Sequence, residues 1–432
     1  MFKSSFKWKW SGKLLLVVFA VTLFPFSAHS ASRATSPSIA TPVFEVPGVQ
    51  NATEILPKEL IAGPHYKVRD KVVLYGFMRN YLVDSDYGTF QVTGDLALRK
   101  LIKEIGAIAA LQEIKKGQAY LEGIKNAASQ PVEFGANLIN DPVDTISGIP
   151  KGVSTLFQNV KTGLNTQSGK NEDGKMAQAL AMSSNKRELA RKLGVDVYST
   201  NKVLQKELNG LAWATSIGSL TVSAALAPVG GPAVMAVTLT RTAQQLNDVI
   251  SQYPPQRLRQ INEQKLLAMG IPADVRTRFL DHPSYTPTQT TIIAGSLEAL
   301  SGAKGRDAFL RYALSADSEE AANFFQYMAE ILRGCQAKVS PVQDIKVFGP
   351  LVFAKTASGS VITPLPLDYA IWTERAGQRV PDAMRAYKAQ NPGLKKCEFW
   401  LTGTASQTAK DEAAKNGIQF VENVGSRLDF LF

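Results

Sequence analysis

The sequence predicts an α+β protein with several parts: a mainly α-helical central domain with a buried apolar helical hairpin, a short N-terminal β-hairpin and a small C-terminal α/β module. Three observations predict this class. The stretch 211–239 has no ionisable side chain and is interrupted by Pro and Gly, helical periodicity dominates 95–335, and strand-like segments flank that block. At 432 residues the chain is long enough for more than one unit.

Residues 1–30 have the layout of a secretory signal peptide. Four lysines precede an apolar run over 14–26, and small residues at Ala28 and Ser30 predict cleavage after Ser30. An uncleaved anchor helix is the alternative, which Pro25 disfavours because it interrupts the end of the run. We therefore expect an exported protein, periplasmic or extracellular, and membrane association stays open.

The charge balance is basic but diffuse. The chain has 48 Lys and Arg against 37 Asp and Glu, a net charge of +11. Four of these lysines and no acidic residue lie within 1–30, so the rest carries 44 basic and 37 acidic side chains, a net charge of +7. The basic residues are dispersed along the sequence, so nucleic-acid binding is not expected.

The next two segments differ in composition. Residues 31–60 are rich in Pro, Ser, Thr and Ala, which predicts a flexible leader. Residues 61–94 contain KVVLYGFMRNYLV and GTFQV, which are dense in β-branched and aromatic residues, with turn-forming residues at 84–88 between them. This pattern predicts one β-hairpin.

The α-helical domain is predicted over 95–335. It begins with an amphipathic helix that we expect to continue to about Ala128, with Glu104 on its polar face. A polar segment without apolar period predicts an exposed loop over 163–175. Further on, Thr286-Pro-Thr-Gln is a capping box and predicts a helix start.

The apolar hairpin over 211–239 has two interpretations. In its first arm small residues recur every fourth position and form a ridge on one helix face (Thr215, Ser219, Ser223, Ala227). Such a ridge lets another backbone approach closely, both in membranes and in soluble cores. The arm is short and rich in Ala, Ser and Thr, which favours a buried soluble hairpin over a membrane element.

The C-terminal α/β module is predicted over 341–432. It contains a hairpin with a turn at Ser358, a helix, and a strand–helix–strand unit whose two strands are expected to be parallel. The strand CEFWLTG ends at Thr402, Gly403 and Thr404, next to a helix N-terminus. Because such strand ends bind anions or small ligands, these three are the candidate ligand-binding residues, with an ordinary helix cap as the alternative.

The chain has two cysteines, Cys335 and Cys397. In an oxidising compartment two thiols of one chain can pair, which would join the end of the helical domain to the C-terminal module. Two unrelated buried thiols are the alternative.

No catalytic residue, metal site or cofactor is predicted. His65 and His282 each adjoin a proline, and no serine has the G-x-S-x-G setting of a hydrolase. Two cysteines and two histidines in four separate segments lack zinc-binding spacing. Carboxylate chemistry would rest on Asp344, Asp368 and Glu374, but the Glu-x-Lys pattern of a metal-dependent nuclease is missing.

The sequence therefore favours an exported, non-enzymatic protein of the bacterial cell envelope, with a helical domain and an α/β module that binds a partner or ligand. The alternative is a secreted effector or toxin-like protein with a membrane-interacting hairpin and a C-terminal hydrolase or nuclease module. The expected partner is an unidentified protein or a membrane surface. Ligand identity and oligomeric state stay open.

Overall fold

The computed structural model describes residues 44–117, 120–122, 170–217, 221–226, 241–394 and 396–431. Helices and sheets are both extensive in these residues, so the protein is a mixed α+β protein, as predicted. Residues Val43–Phe432 form one compact unit. The predicted signal peptide, the leader up to residue 43, and 227–239 of the apolar hairpin lie outside the described residues.

The first sheet is antiparallel and consists of six strands: β1 (Val49–Asn51), β2 (Ala62–Gly63), β3 (Tyr66–Val68), β4 (Lys71–Tyr75), β5 (Met78–Ser85) and β6 (Gly88–Thr93). Their order is β1-β4-β5-β3-β2, and β6 also pairs with β5. The predicted hairpin is present as β5 and β6. The prediction was wrong in treating KVVLYGFMRNYLV as one strand, since a turn at Gly76 and Phe77 divides it into β4 and β5.

The predicted flexible leader over 31–60 is also wrong for its last part. Strand β1 and two short helices, α1 (Ala52–Ile55) and α2 (Lys58–Ile61), occupy it. The side chains of Ala52, Leu56 and Leu60 are buried in the core beneath the first sheet. This apolar burial orders a segment whose composition alone predicts flexibility.

Helix α3 (Asp95–Lys116) connects the first sheet to the helical region. Leu98 and Ile105 pack against the sheet, and Ile108 and Leu111 pack in a second core formed with the next two long helices. The helix ends at Lys116, where Gly117 caps it, so it does not run unbroken towards residue 128 as predicted; residues 123–128 lie outside the described residues.

The helical region continues with α4 (Lys170–Leu193), α5 (Lys202–Ile217), α6 (Val222–Leu226), α7 (Arg241–Gln252), α8 (Pro255–Ala268), α9 (Ala273–Leu280), α10 (Pro287–Ala299), α11 (Arg306–Ala313) and α12 (Glu319–Lys338). The predicted loop over 163–175 is wrong from residue 170, where α4 begins, and 163–169 lie outside the described residues. The predicted capping box is confirmed: Gln289 N donates to Thr286 Oγ1, and Thr286 N donates to Gln289 Oε1.

The second sheet contains β7 (Val342–Phe348), β8 (Leu351–Thr356), β9 (Val361–Leu365), β11 (Cys397–Leu401) and β13 (Ile418–Val421) in the order β13-β11-β9-β8-β7. Strands β7, β8 and β9 are antiparallel neighbours, whereas β9, β11 and β13 are parallel. Helix α13 (Glu374–Gln390) and helix α14 (Gln407–Lys415) connect the parallel strands. A short parallel pair, β10 (Tyr369–Ala370) and β12 (Thr404–Ala405), lies beside this sheet.

Both faces of the second sheet are covered. On one face Val352, Ile362 and Trp400 belong to the same core as Met328 of α12 and other side chains of α8 to α12. On the other face the core contains side chains of β8, β9, β11, α13 and α14. The C-terminal segment and the helical region therefore share a continuous core across the predicted domain boundary at 335–341.

Candidate functional site

The three candidate ligand-binding residues lie at the carboxyl end of β11, and they contact the protein's own loop. Thr402 Oγ1 and Gly403 N donate to Leu367 O at 3.0 and 2.9 Å, and Thr404 N donates to Asp368 O at 3.1 Å. Only glycine fits at position 403, since a Cβ there would lie 2.0 Å from Asp368 O. The strand end that would receive a ligand is thus covered by the loop that follows β9.

This loop presents the carboxylate of Asp368 to the first sheet. The side chain is 2% exposed. Its Oδ2 accepts from Arg79 N at 2.8 Å, and its Oδ1 accepts from Asp95 N at 3.0 Å. Asp368 therefore connects the second sheet to β5 and to the first residue of α3.

A second carboxylate completes the cluster. Asp95 Oδ2 accepts from Arg79 Nη1 at 2.7 Å, and Asp95 Oδ1 accepts from the Tyr81 hydroxyl at 2.6 Å. Arg79 Nε also donates to Gln50 Oε1 at 2.8 Å, and the guanidinium carbon lies 5.9 Å from the centroid of the Tyr369 ring. One arginine thus links β1, β5, α3 and β10.

The cluster has shifted protonation equilibria. Burial is the largest cause that raises the pKa of Asp368, to about 7, and the negative charge of Asp95 adds to it. The amide hydrogen bonds and the charge of Arg79 act in the opposite direction. Burial and the charge of Asp95 also raise the pKa of Tyr81, so this phenol stays protonated and donates to Asp95.

Backbone contacts fix the same junction. Asp368 N and Tyr369 N both donate to Phe77 O, at 3.2 and 3.1 Å. Phe77 lies in the turn between β4 and β5, so this turn and the loop after β9 are in direct contact. We define the junction as Phe77, Arg79, Asp95 and Asp368.

A carboxyl that titrates near neutral pH in a buried cluster is a common mark of a functional site. A general base or a metal ligand must direct an oxygen at a substrate or an ion. At this junction each of the four oxygens of Asp95 and Asp368 accepts a hydrogen bond from the protein itself. The arrangement is therefore suited to joining the two sheets.

The other two candidate carboxylates, Asp344 and Glu374, lie elsewhere and have other contacts. Asp344 lies on β7 with Lys346 Nζ at 3.9 Å, and Glu374 is exposed in the first turn of α13. The histidines have local partners: His65 Nδ1 lies 2.9 Å from Asp86 Oδ2, and His282 Nε2 lies 3.2 Å from a backbone carbonyl. Within the described part of the chain, no group of three or more His, Cys, Asp or Glu side chains is placed to hold a metal ion.

Two of the four ridge residues are described, and both contact α4. Thr215 Oγ1 accepts from Asn185 Nδ2 at 3.1 Å, and Ser223 Oγ accepts from Lys192 Nζ at 2.7 Å. Ser219 and Ala227 lie outside the described residues. No helix in the described ranges is both long enough and apolar enough to cross a bilayer.

The structure does not form the disulfide considered above. Cys335 on α12 is buried in the core between the helices and the second sheet, and Cys397 on β11 is buried on the other face of that sheet. The second sheet lies between the two side chains in this structure. Burial raises the pKa of Cys335 to about 11 and that of Cys397 to about 12, so both thiols stay protonated at neutral pH.

Sequence reasoning missed three members of the cluster: Arg79, Tyr81 and Asp95. One signal was present, because the alternation in β5 places Arg79 on the same inward face as Tyr81 and Val83. An arginine at an inward strand position indicates a buried ion pair. For Asp95 there was no such signal, since an acidic residue in the first turn of a helix is common.

Comparison of the chain with protein-family models, with characterised proteins and with solved structures gives no match.

Proposed function

We propose that this chain is an exported, non-enzymatic protein of the bacterial cell envelope whose C-terminal α/β module binds a protein partner. The observation that carries the proposal concerns the hydrogen bonds of the junction: Asp368, whose pKa burial raises to about 7, has both carboxylate oxygens occupied by backbone amides. The signal-like pattern of residues 1–30 supports export.

The contacts at the end of β11 support a structural role for the predicted ligand residues. Thr402, Gly403 and Thr404 hold the loop after β9, and the next amide, Ala405 N, donates to Glu422 Oε1 at 2.7 Å. These donors are engaged within the module. We therefore place partner binding on another surface of the module.

We further propose that the stretch 211–239 is a buried hairpin of the helical core. In the described part of the first arm, the contact of Thr215 with α4 supports this, as does the complete burial of Leu211 and Ala212. The alternative, an effector with a C-terminal hydrolase or nuclease, would need a carboxylate directed at a cation or a water molecule.

Two measurements test the proposal. Export predicts that the periplasmic fraction contains a chain whose intact mass matches a sequence beginning at Ala31. An uncleaved chain in the cytosol would contradict export. A non-enzymatic junction predicts that Mg²⁺ or Mn²⁺ leaves the melting temperature of the full chain unchanged. A metal-dependent rise in melting temperature that the variant Asp368→Asn abolishes would instead show a metal site at the junction and favour the hydrolase or nuclease alternative.

A further inference from the structure

The described chain begins with an extended segment that docks on the C-terminal module. Glu45 N donates to Trp372 O at 2.9 Å, and Trp372 N donates to Glu45 Oε2 at 2.7 Å. The same oxygen accepts from Ser406 Oγ at 2.6 Å. One glutamate thus makes two backbone contacts with the residues before α13 and a third contact with α14.

The position of this carboxylate is electrostatically favourable. Ser406 is the N-cap of α14, where its Oγ accepts from Ala409 N at 3.0 Å, and Trp372 directly precedes Thr373, the N-cap of α13. Two helix N-termini therefore converge near one carboxylate, and both carry positive partial charge. We name this place the carboxylate seat, formed by Trp372 and Ser406.

An apolar notch adjoins the seat. The ring of Phe44 lies against Gly377 in the first turns of α13: a Cβ at this glycine would be 2.7 Å from Phe44 Cε1 and 3.2 Å from Trp372 Nε1. The notch thus exists because residue 377 has no side chain. Together the notch and the seat accept an aromatic residue followed by a glutamate.

The segment that fills the seat is only partly covered by the rest of the protein. Phe44 is 39% exposed and Val46 is 85% exposed, and Pro47 and Gly48 are also exposed. A covalently attached segment can occupy a weak site because its effective concentration is high, roughly millimolar for a short tether. A free peptide with the same two side chains therefore has to compete with this tethered segment for the site.

We propose that the seat and the notch form a peptide-binding site, filled in this structure by the chain's own Phe44 and Glu45. Its ligand is an extended segment of a partner protein with an aromatic residue directly followed by a glutamate. The inference rests on the proposed function, since it identifies the partner-binding surface of the C-terminal module. Release of residues 44–46 opens the site.

The test uses the full chain and a synthetic, end-blocked peptide of residues 41–47, Thr-Pro-Val-Phe-Glu-Val-Pro. A double variant, Phe44→Ala with Glu45→Gln, releases the segment. We expect the double variant to bind the fluorescein-labelled peptide at least roughly tenfold more tightly than the wild type, whose own segment competes. A control peptide with Gln in place of Glu should bind roughly tenfold more weakly than the parent peptide.

Two further variants locate the binding. Adding Gly377→Ala to the double variant should abolish peptide binding, because the new methyl group fills the notch, while alanine is well tolerated in a helix. Glu54→Gln removes an exposed carboxylate on α1 and should bind the peptide no better than the wild type. The single variant Glu45→Gln keeps the shape of the side chain and removes only its charge. It gives a second test of peptide binding in a protein that is less altered than the double variant.

The proposal is overturned if the folded double variant and the folded Glu45→Gln variant both fail to bind the peptide up to roughly millimolar concentration. It is also overturned if Gly377→Ala leaves binding unchanged. Neither result contradicts the proposed function. The proposed function is contradicted by different results: retention of residues 1–30 in the mature chain, or a metal effect on the melting temperature that depends on Asp368.

Discussion

Replacing Asp368 with asparagine should change how the stability of the protein depends on pH. Burial and the charge of Asp95 raise the pKa of Asp368 to about 7 in the folded protein, against about 3.9 in an unfolded chain. At a pH between these two pKa values, the folded state binds one more proton than the unfolded state. The free energy of unfolding therefore falls as the pH rises through this range, and this carboxyl has no further effect above the folded pKa.

The magnitude follows from the width of this window. Each pH unit within it is worth about 1.4 kcal/mol, so a change from about pH 5 to about pH 7 lowers the free energy of unfolding by roughly 2 kcal/mol. The amide of Asp368→Asn does not titrate and lacks this dependence. It also provides one acceptor for two backbone amides, which costs about 1 to 3 kcal/mol at every pH.

Urea unfolding of both proteins, followed by tryptophan fluorescence from about pH 5 to about pH 8, measures the difference. Glu104 and Glu330, whose pKa values burial also raises, occur in both proteins and cancel. The exposed substitution Asp411→Asn serves as the matched control. A stability difference between wild type and Asp368→Asn that stays constant with pH would refute the reasoning.

Three further predictions concern other buried contacts. Gly403→Ala places a methyl group against Asp368 O and should lower the free energy of unfolding by about 3 kcal/mol, whereas Gly393→Ala, with open space around it, should have no effect in the same urea titration. Glu330→Ala removes the carboxylate that pairs with the buried Arg333 guanidinium and accepts from Leu431 N, so we expect a loss of about 3 to 5 kcal/mol; a loss below about 1 kcal/mol would contradict the pairing. Both cysteines should resist a thiol reagent in the native protein and react in urea, and an unreduced chain lacking free thiols in urea would show that they pair.

Local signals in the sequence predicted local structure. The turn residues at 84–88 predict the hairpin of β5 and β6, and the capping box predicts the start of α10. In each case the decisive contacts join residues close together in the chain, so pattern and structure agree.

Contacts between distant residues account for the errors. Composition predicted a flexible leader, but Leu56 and Leu60 are ordered by a sheet that forms from later residues. Periodicity placed Glu104 on a polar face, but its oxygens accept hydrogen bonds from Ser199 and Asn201, and the side chain is buried. Periodicity identifies a polar face and does not show which segment covers it.

The sequence predicts the position of the candidate site, and its ligand-binding role stays a prediction. The sequence drew attention to the end of β11 and, separately, to Asp368, and the structure brings both together at one loop. Their partners Arg79 and Asp95 are more than 250 positions away along the chain. No spacing rule reaches across that separation, so the sequence does not predict that this loop joins the two sheets.

Hydrogen exchange tests the central claim, that Asp368 joins the two sheets, most directly. In Asp368→Asn one of the amides of Arg79 and Asp95 loses its acceptor. We expect segments 77–95 and 366–405 to exchange together, roughly tenfold faster than in the wild type, while α10 and α12 keep their protection. Equal protection of both segments in the two proteins would contradict the account.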